Sequence, residues 1–202
     1  MMIVLRRILL IALCLLPVAL LVGTQFYAPP QGCAFSASVR AFDRLKNRTT
    51  MPRSTDFDPR VTLAALIEPG DDHARWSEAR AAVVEGYVVD VYAGGPESAN
   101  CFSRLRRDTH LEIALRPDAP PRERVIAEVT PPARDLAAAR GLDWSIATLR
   151  QTLVGHRCRF EGWLLFDDRH AGESGNTQPS RRQDWRATAW ELHPVTDMRI
   201  LD

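Results

Sequence analysis

Val83-Val-Glu-Gly-Tyr-Val-Val-Asp-Val-Tyr92 alternates in character, is rich in β-branched and aromatic residues, and runs into the turn Gly94-Gly-Pro96. That reads as a strand, and the chain beyond it keeps the same rhythm. Asp108-Thr-His-Leu-Glu-Ile-Ala-Leu115 puts Leu111, Ile113 and Leu115 on one face and Asp108, His110 and Glu112 on the other. Prolines between 117 and 121 break this strand before a third, Arg124-Val-Ile-Ala-Glu-Val-Thr130. Two helical segments follow: Ala133 to Arg140, closed by Gly141, and Ile146 to Leu153, capped by Ser145 and stopped at Gly155. Arg157 to Phe166 supplies a fourth strand, and Trp185 to His193 a fifth with room to continue past Pro194.

Five strands with helix inserted between the third and fourth is the chain order of an OB-fold barrel. The expected fold is therefore mainly β with helical insertions, a five-stranded OB-fold-like barrel over residues 83–202. Gly86 and Gly162 fall inside the first and fourth strands, where a small barrel needs close backbone approach. An SH3-like barrel lacks the mid-chain helices, and a sandwich needs more strands.

Upstream, residues 29–82 read as a linker with short helices. Val39, Phe42 and Leu45 recur at helical spacing, and Asp72 to Ala82 also looks helical. At the start, Arg6-Arg7 precedes the unbroken apolar run Ile8 to Val22, the pattern of a signal peptide or N-terminal membrane anchor over residues 1–28. The absence of small residues at a good cleavage position tilts the reading toward an anchor. The expected location is the cell envelope on the periplasmic side, with the membrane as a partner through this segment. Beyond Cys14 in the leader, Cys33, Cys101 and Cys158 allow at most one intramolecular disulfide. Cys158 alternates with Phe160 and Leu164 and so faces the core, while Cys101 is within reach of Cys33.

The chain is 46% hydrophobic and 25% charged, which excludes wholesale disorder. Its net charge of +1 rests on Arg6 and Arg7; without them the remainder is −1, so nucleic acid is not expected as a general partner. Arginines 104, 106 and 107 keep a local patch open. Lys46 is the sole lysine and lies outside the well-patterned region, so a lysine nucleophile is not expected.

The stretch from Glu85 to Thr196 resembles a poorly characterised family of small exported bacterial proteins. The resemblance is carried by Glu85-Gly-Tyr-Val-Val-Asp, Gly94-Gly-Pro-Glu-Ser-Ala-Asn-Cys101, Asp108-Thr-His-Leu-Glu112, Glu128-Val-Thr-Pro131, Gly162-Trp-Leu-Leu-Phe-Asp167 with His170, and Trp185-Arg-Ala-Thr-Ala-Trp-Glu-Leu-His-Pro-Val-Thr196. It covers a little over half the chain, and its last motif is the most specific. Relatives often carry a second cysteine where this chain has Ala99. The resemblance implies a domain and an address and names no reaction.

No Gly-rich phosphate loop, Gly-x-Ser-x-Gly elbow or His-Glu-x-x-His motif occurs. The chemistry-bearing residues are dispersed over the strands. Asp108, His110, Glu128 and His193 form a candidate ligand set for a divalent metal, Zn²⁺ or Mn²⁺. Glu112, His170 and Glu191 are acid–base or supporting candidates, and Arg186 is a candidate for stabilising an anionic substrate. The competing reading is a solvated outer face, which alternation on a half-buried sheet always produces. Trp163, Trp185 and Trp190 read as barrel packing ahead of stacking platforms. Three functions stay open: an extracytoplasmic module binding an unknown ligand or envelope protein, a metal-dependent hydrolase with phosphodiesters as a candidate substrate class, and an envelope scaffold. Whether His110, Glu128 and His193 converge discriminates the second from the third.

Overall fold

The computed structural model describes residues 27–177 and 184–202. The leader expected over 1–28 lies outside them except for its last two residues. Among the described residues no helix is long and apolar enough to cross a membrane.

The strands are β1 (Ala81–Ala93), β2 (Thr109–Ala114), β3 (Val125–Val129), β4 (Arg157–Phe166) and β5 (Trp190–Ile200). They close into a barrel in the order β1-β2-β3-β5-β4. All pairings are antiparallel except β3 with β5, which run parallel. This is the expected OB-like barrel. Its helices are α1 (Ala37–Lys46), α2 (Leu63–Ile67), α3 (Pro131–Ala139) and α4 (Ile146–Leu153), the last two between β3 and β4. Thr130 and Ser145 cap α3 and α4 by accepting from the N–H groups of Ala133 and Thr148.

Alternation delivers Val84, Val88, Val91, Leu111, Ile113, Val125, Ala127, Phe160, Leu164 and Leu192 to one apolar core, where Trp144, Leu149 and Leu153 from the helical insertion join them. Cys158 is free, fully buried and part of this core. Gly86 admits α2: a Cβ there would stand 2.3 Å from Leu63 Cδ2 and 2.7 Å from Ile113 Cγ2. Gly162 marks the register shift of β4 on β5, where a Cβ would meet the Pro194 carbonyl at 2.8 Å.

The upstream residues pack onto the barrel. Leu63 and Leu66 enter the core, and Ala81 and Ala82 already belong to β1. The helix expected over Asp72 to Ala82 is instead a series of turns with Ala74 at φ 57°. The cause is Asp72, fully buried: its Oδ2 accepts from Thr188 Oγ1 (2.8 Å), Thr177 Oγ1 (3.2 Å) and the Ala189 N–H (3.0 Å). The same bonds delay the fifth strand, which begins at Trp190 rather than Trp185, because the Ala189 N–H goes to a side chain instead of a ladder. β5 then continues past Pro194 to Ile200. Trp190 packs in the core and donates to the Asp72 carbonyl; Trp163 is buried against Arg48 and donates to Thr50 O.

Candidate metal centre

The polar face that alternation turns away from the core on β2, β3 and β5 is not solvated. Asp108, Glu128, Glu191 and His193 are buried, and the His110 side chain is 18% exposed. Three segments roof this face: α1, the β1–β2 connection and the turn at Asp168–Glu173. Such loops flank the usual ligand face of an OB barrel. The roof is pinned by the Cys33–Cys101 disulfide, by Asn47 Nδ2 donating to Ala99 O (2.7 Å), and by Ser98 Oγ donating to Asp43 Oδ1 (3.1 Å).

Under the roof the registers bring distant residues together. His110 faces Glu128 across β2 and β3, with Nε2 3.1 Å from Glu128 Oε1. His193 enters from β5, its Nδ1 3.2 Å from Glu191 Oε2 and 3.4 Å from Glu128 Oε2. Asp108 comes from the position immediately before β2. One ligand atom from each of Asp108, Glu128 and His193 lies within 4.8 Å of the other two. Three of the four expected metal ligands thus converge, and the fourth, His110, supports Glu128.

Lys46 and Glu97 also belong to this group, and the sequence reading did not include either. The Lys46 ammonium lies 2.5 Å from Glu97 Oε2, with 6% of its side chain exposed. Burial works against its charge, but the fields of Glu128, Glu97, Asp108 and Glu191 outweigh that and raise its pKa. Burial pushes Asp108 well above the usual carboxyl range, and its hydrogen bond with Glu97 adds to the push. Burial would raise Glu97 as well, yet its bonds with Asp108 and Lys46 hold it at about 2. Glu128 is raised well above normal by burial and then by the Glu191 charge. Burial lowers both imidazoles, His110 to about 4, so both are neutral near pH 7 with a lone pair to give.

The remaining candidates support the group or stand beside it. Glu191 takes a buried ion pair from Arg186 Nη1. Arg186 is 1% exposed and also contacts Asp167 (3.4 Å) and Ser174 Oγ (3.3 Å), so its charge faces these groups rather than an anion from solvent. His170 lies on the rim, its Nδ1 2.5 Å from Asp167 Oδ2, with 44% of its side chain exposed. Glu112 stands one rung further along β2, accepting from Arg124 Nη1 (2.6 Å) and Tyr92 Oη (3.1 Å).

The chemistry of this group suits a cation. The five carboxyls Glu97, Asp108, Glu128, Glu191 and Asp167 outnumber the two permanent charges of Lys46 and Arg186, and the raised pKa values of Asp108 and Glu128 reflect that crowding of negative charge. A divalent cation held there would offset two of the three surplus charges. Buried atoms without a protein donor or acceptor include Asp108 Oδ1, Glu128 Oε2 and His193 Nε2. Two carboxylates and an imidazole suit a borderline-to-hard ion such as Zn²⁺ or Mn²⁺. Ligand atoms about 2.1 Å from a tetrahedral ion stand roughly 3.4 Å apart, so the three side chains need to close in slightly. No family model, curated protein or solved structure matches this chain.

Proposed function

We propose that the protein is an extracytoplasmic, OB-like binding module whose ligand is a single divalent cation held by Asp108, Glu128 and His193. The observation carrying this is the convergence of Asp108, Glu128 and His193, three buried residues that each also hold a side-chain atom without a hydrogen-bond partner. The Cys33–Cys101 disulfide supports an oxidising compartment and agrees with the export pattern at residues 6–22. A hydrolase working through the same cation is a second reading, favoured by the coordination position that three protein ligands leave open to water. The roof over the site weighs against a polymeric substrate.

The test is titration of the metal-stripped full chain with Zn²⁺ and with Mn²⁺ by calorimetry, alongside metal analysis after purification. About one equivalent is expected, with binding abolished in His193→Ala and Glu128→Gln and weakened in His110→Ala. Binding of neither ion, or affinities unchanged in the first two variants, refutes the proposal. For the location, an alkaline phosphatase fused after Asp202 should be active.

A further inference from the structure

Among the described residues, the exposed aromatic side chains gather at one pole. They are Tyr27, Phe35 (99% exposed) and Phe102 (56%), accompanied by Leu105 (67%). The Cys33–Cys101 bridge brings Phe35 and Phe102 together, since each lies within two residues of it. Cys101 and Phe102 both adopt left-handed backbone, at φ 53° and 56°, a costly pair for non-glycine residues. The bridge and the bond from Phe102 N–H to Glu97 O (2.7 Å) hold them in it. Water gives no reason to hold aromatic rings outward in this way.

The same pole is basic. Arg104, Arg106 and Arg107 interleave with Phe102 and Leu105, and Arg40 donates to the carbonyls of Ala34 and Phe35. The exposed acid Asp135 engages Arg106 (2.5 Å). Tyr27 and Ala28, the first described residues, line one surface cavity of about 240 Å³ with Arg106 and Asn100. The described chain therefore begins at this pole, five residues after the apolar run of residues 8–22 ends in the sequence. Aromatics with interleaved arginines suit the interface of an anionic bilayer, where rings lie at headgroup level and guanidinium groups meet phosphate.

We infer that Phe35, Phe102 and Leu105, with Arg104, Arg106 and Arg107, form a docking surface for the anionic lipid of the membrane that holds the N-terminal segment. This rests on reading that segment as an anchor and is independent of the cation.

The test uses the full chain with Cys14→Ser, reconstituted in nanodiscs and labelled with bimane at Leu105→Cys. A control carries the label at Leu115→Cys, an exposed position just past the far end of β2, about 20 Å along the strand from its start. Lipid-borne nitroxide at the headgroup boundary should quench position 105 roughly threefold more than position 115 in phosphatidylglycerol discs. The difference should shrink in phosphatidylcholine, and also in Phe35→Ser/Phe102→Ser. A chain that enters the discs with 105 and 115 quenched alike overturns the proposal and leaves the anchor standing. Equal quenching of 105 in both lipids refutes the anionic surface. A chain that does not enter the discs removes the anchor and the proposal together.

Discussion

His193 presents Nδ1 to Glu191 Oε2 at 3.2 Å while its Nε2, equally buried, meets no donor or acceptor of the protein. A carboxylate on one ring nitrogen fixes the tautomer and leaves the other nitrogen's lone pair buried without a protein partner. This is how proteins orient a ligating histidine, and loss of the orienting group typically weakens metal binding by about 10–100-fold. Glu191→Gln should therefore reduce Zn²⁺ or Mn²⁺ affinity by about that factor with the fold intact by circular dichroism. Glu112→Gln, one rung away and held by Arg124, should leave affinity unchanged. Equal effects from the two would mean Glu191 does not position His193.

Lys46 makes a second prediction, for stability. Removing one partner of a buried ion pair strands the other, at a cost of about 3–5 kcal/mol. Lys46→Met keeps the stem and deletes the charge, leaving Glu97 and its neighbours without their nearest cation. Urea unfolding should show a loss of that order, partly recovered by adding the divalent cation. An unchanged midpoint would mean that Lys46 does not balance the cluster.

Why Lys46 escaped a reading of the sequence is instructive. Helical periodicity assigned the inner face of α1 to Val39, Phe42 and Leu45, yet these are only partly buried while Asp43 and Lys46 are fully enclosed. The helix packs against a polar surface, so its polar residues face inward. Nothing local signals that, because Glu97, the partner, is 51 positions away. The barrel order was legible, since a two-residue period and helix between strands three and four leave few closures. So was the shared face of His110, Glu128, Glu191 and His193, which follows from alternation and from the pairing of β2 with β3 and β3 with β5. Burial of that face was not legible: two of the three roof segments are irregular connections, and the third, α1, turns its polar residues inward against the apparent periodicity. The one available cue was compositional, the sole lysine of an arginine-rich chain.

His170 supplies the pH dependence. Its hydrogen bond with Asp167 raises its pKa above the ordinary 6.5, outweighing partial burial. A histidine raised on folding contributes stability that is complete below the unfolded value and is lost as pH rises through the folded one. NMR titration should find the His170 midpoint above 6.5, and Asp167→Asn should bring it down. A midpoint at or below 6.5 in the native chain would show that the Asp167 contact does not hold in solution.

Gly94 tests the packing of the site from its other side. A Cβ at this position would stand 2.7 Å from His110 Nε2 and 3.1 Å from its Cδ2. That nitrogen is the atom facing Glu128, so a methyl group there drives the ring off its partner or pushes β1 from β2. The ring also lies against Tyr92, with centroids 5.2 Å apart, which limits its retreat. Overpacking of this kind costs about 1–3 kcal/mol. Gly94→Ala should lower stability by that amount and weaken the cation, whereas Gly95→Ala, with nothing within 4 Å of the added methyl, should do neither. The decisive measurement is a double-mutant cycle with His110→Ala. If the clash is with the imidazole, Gly94→Ala costs much less stability once the ring is gone. If the cost is the same in both backgrounds, His110 does not occupy this position and its support of Glu128 falls with it.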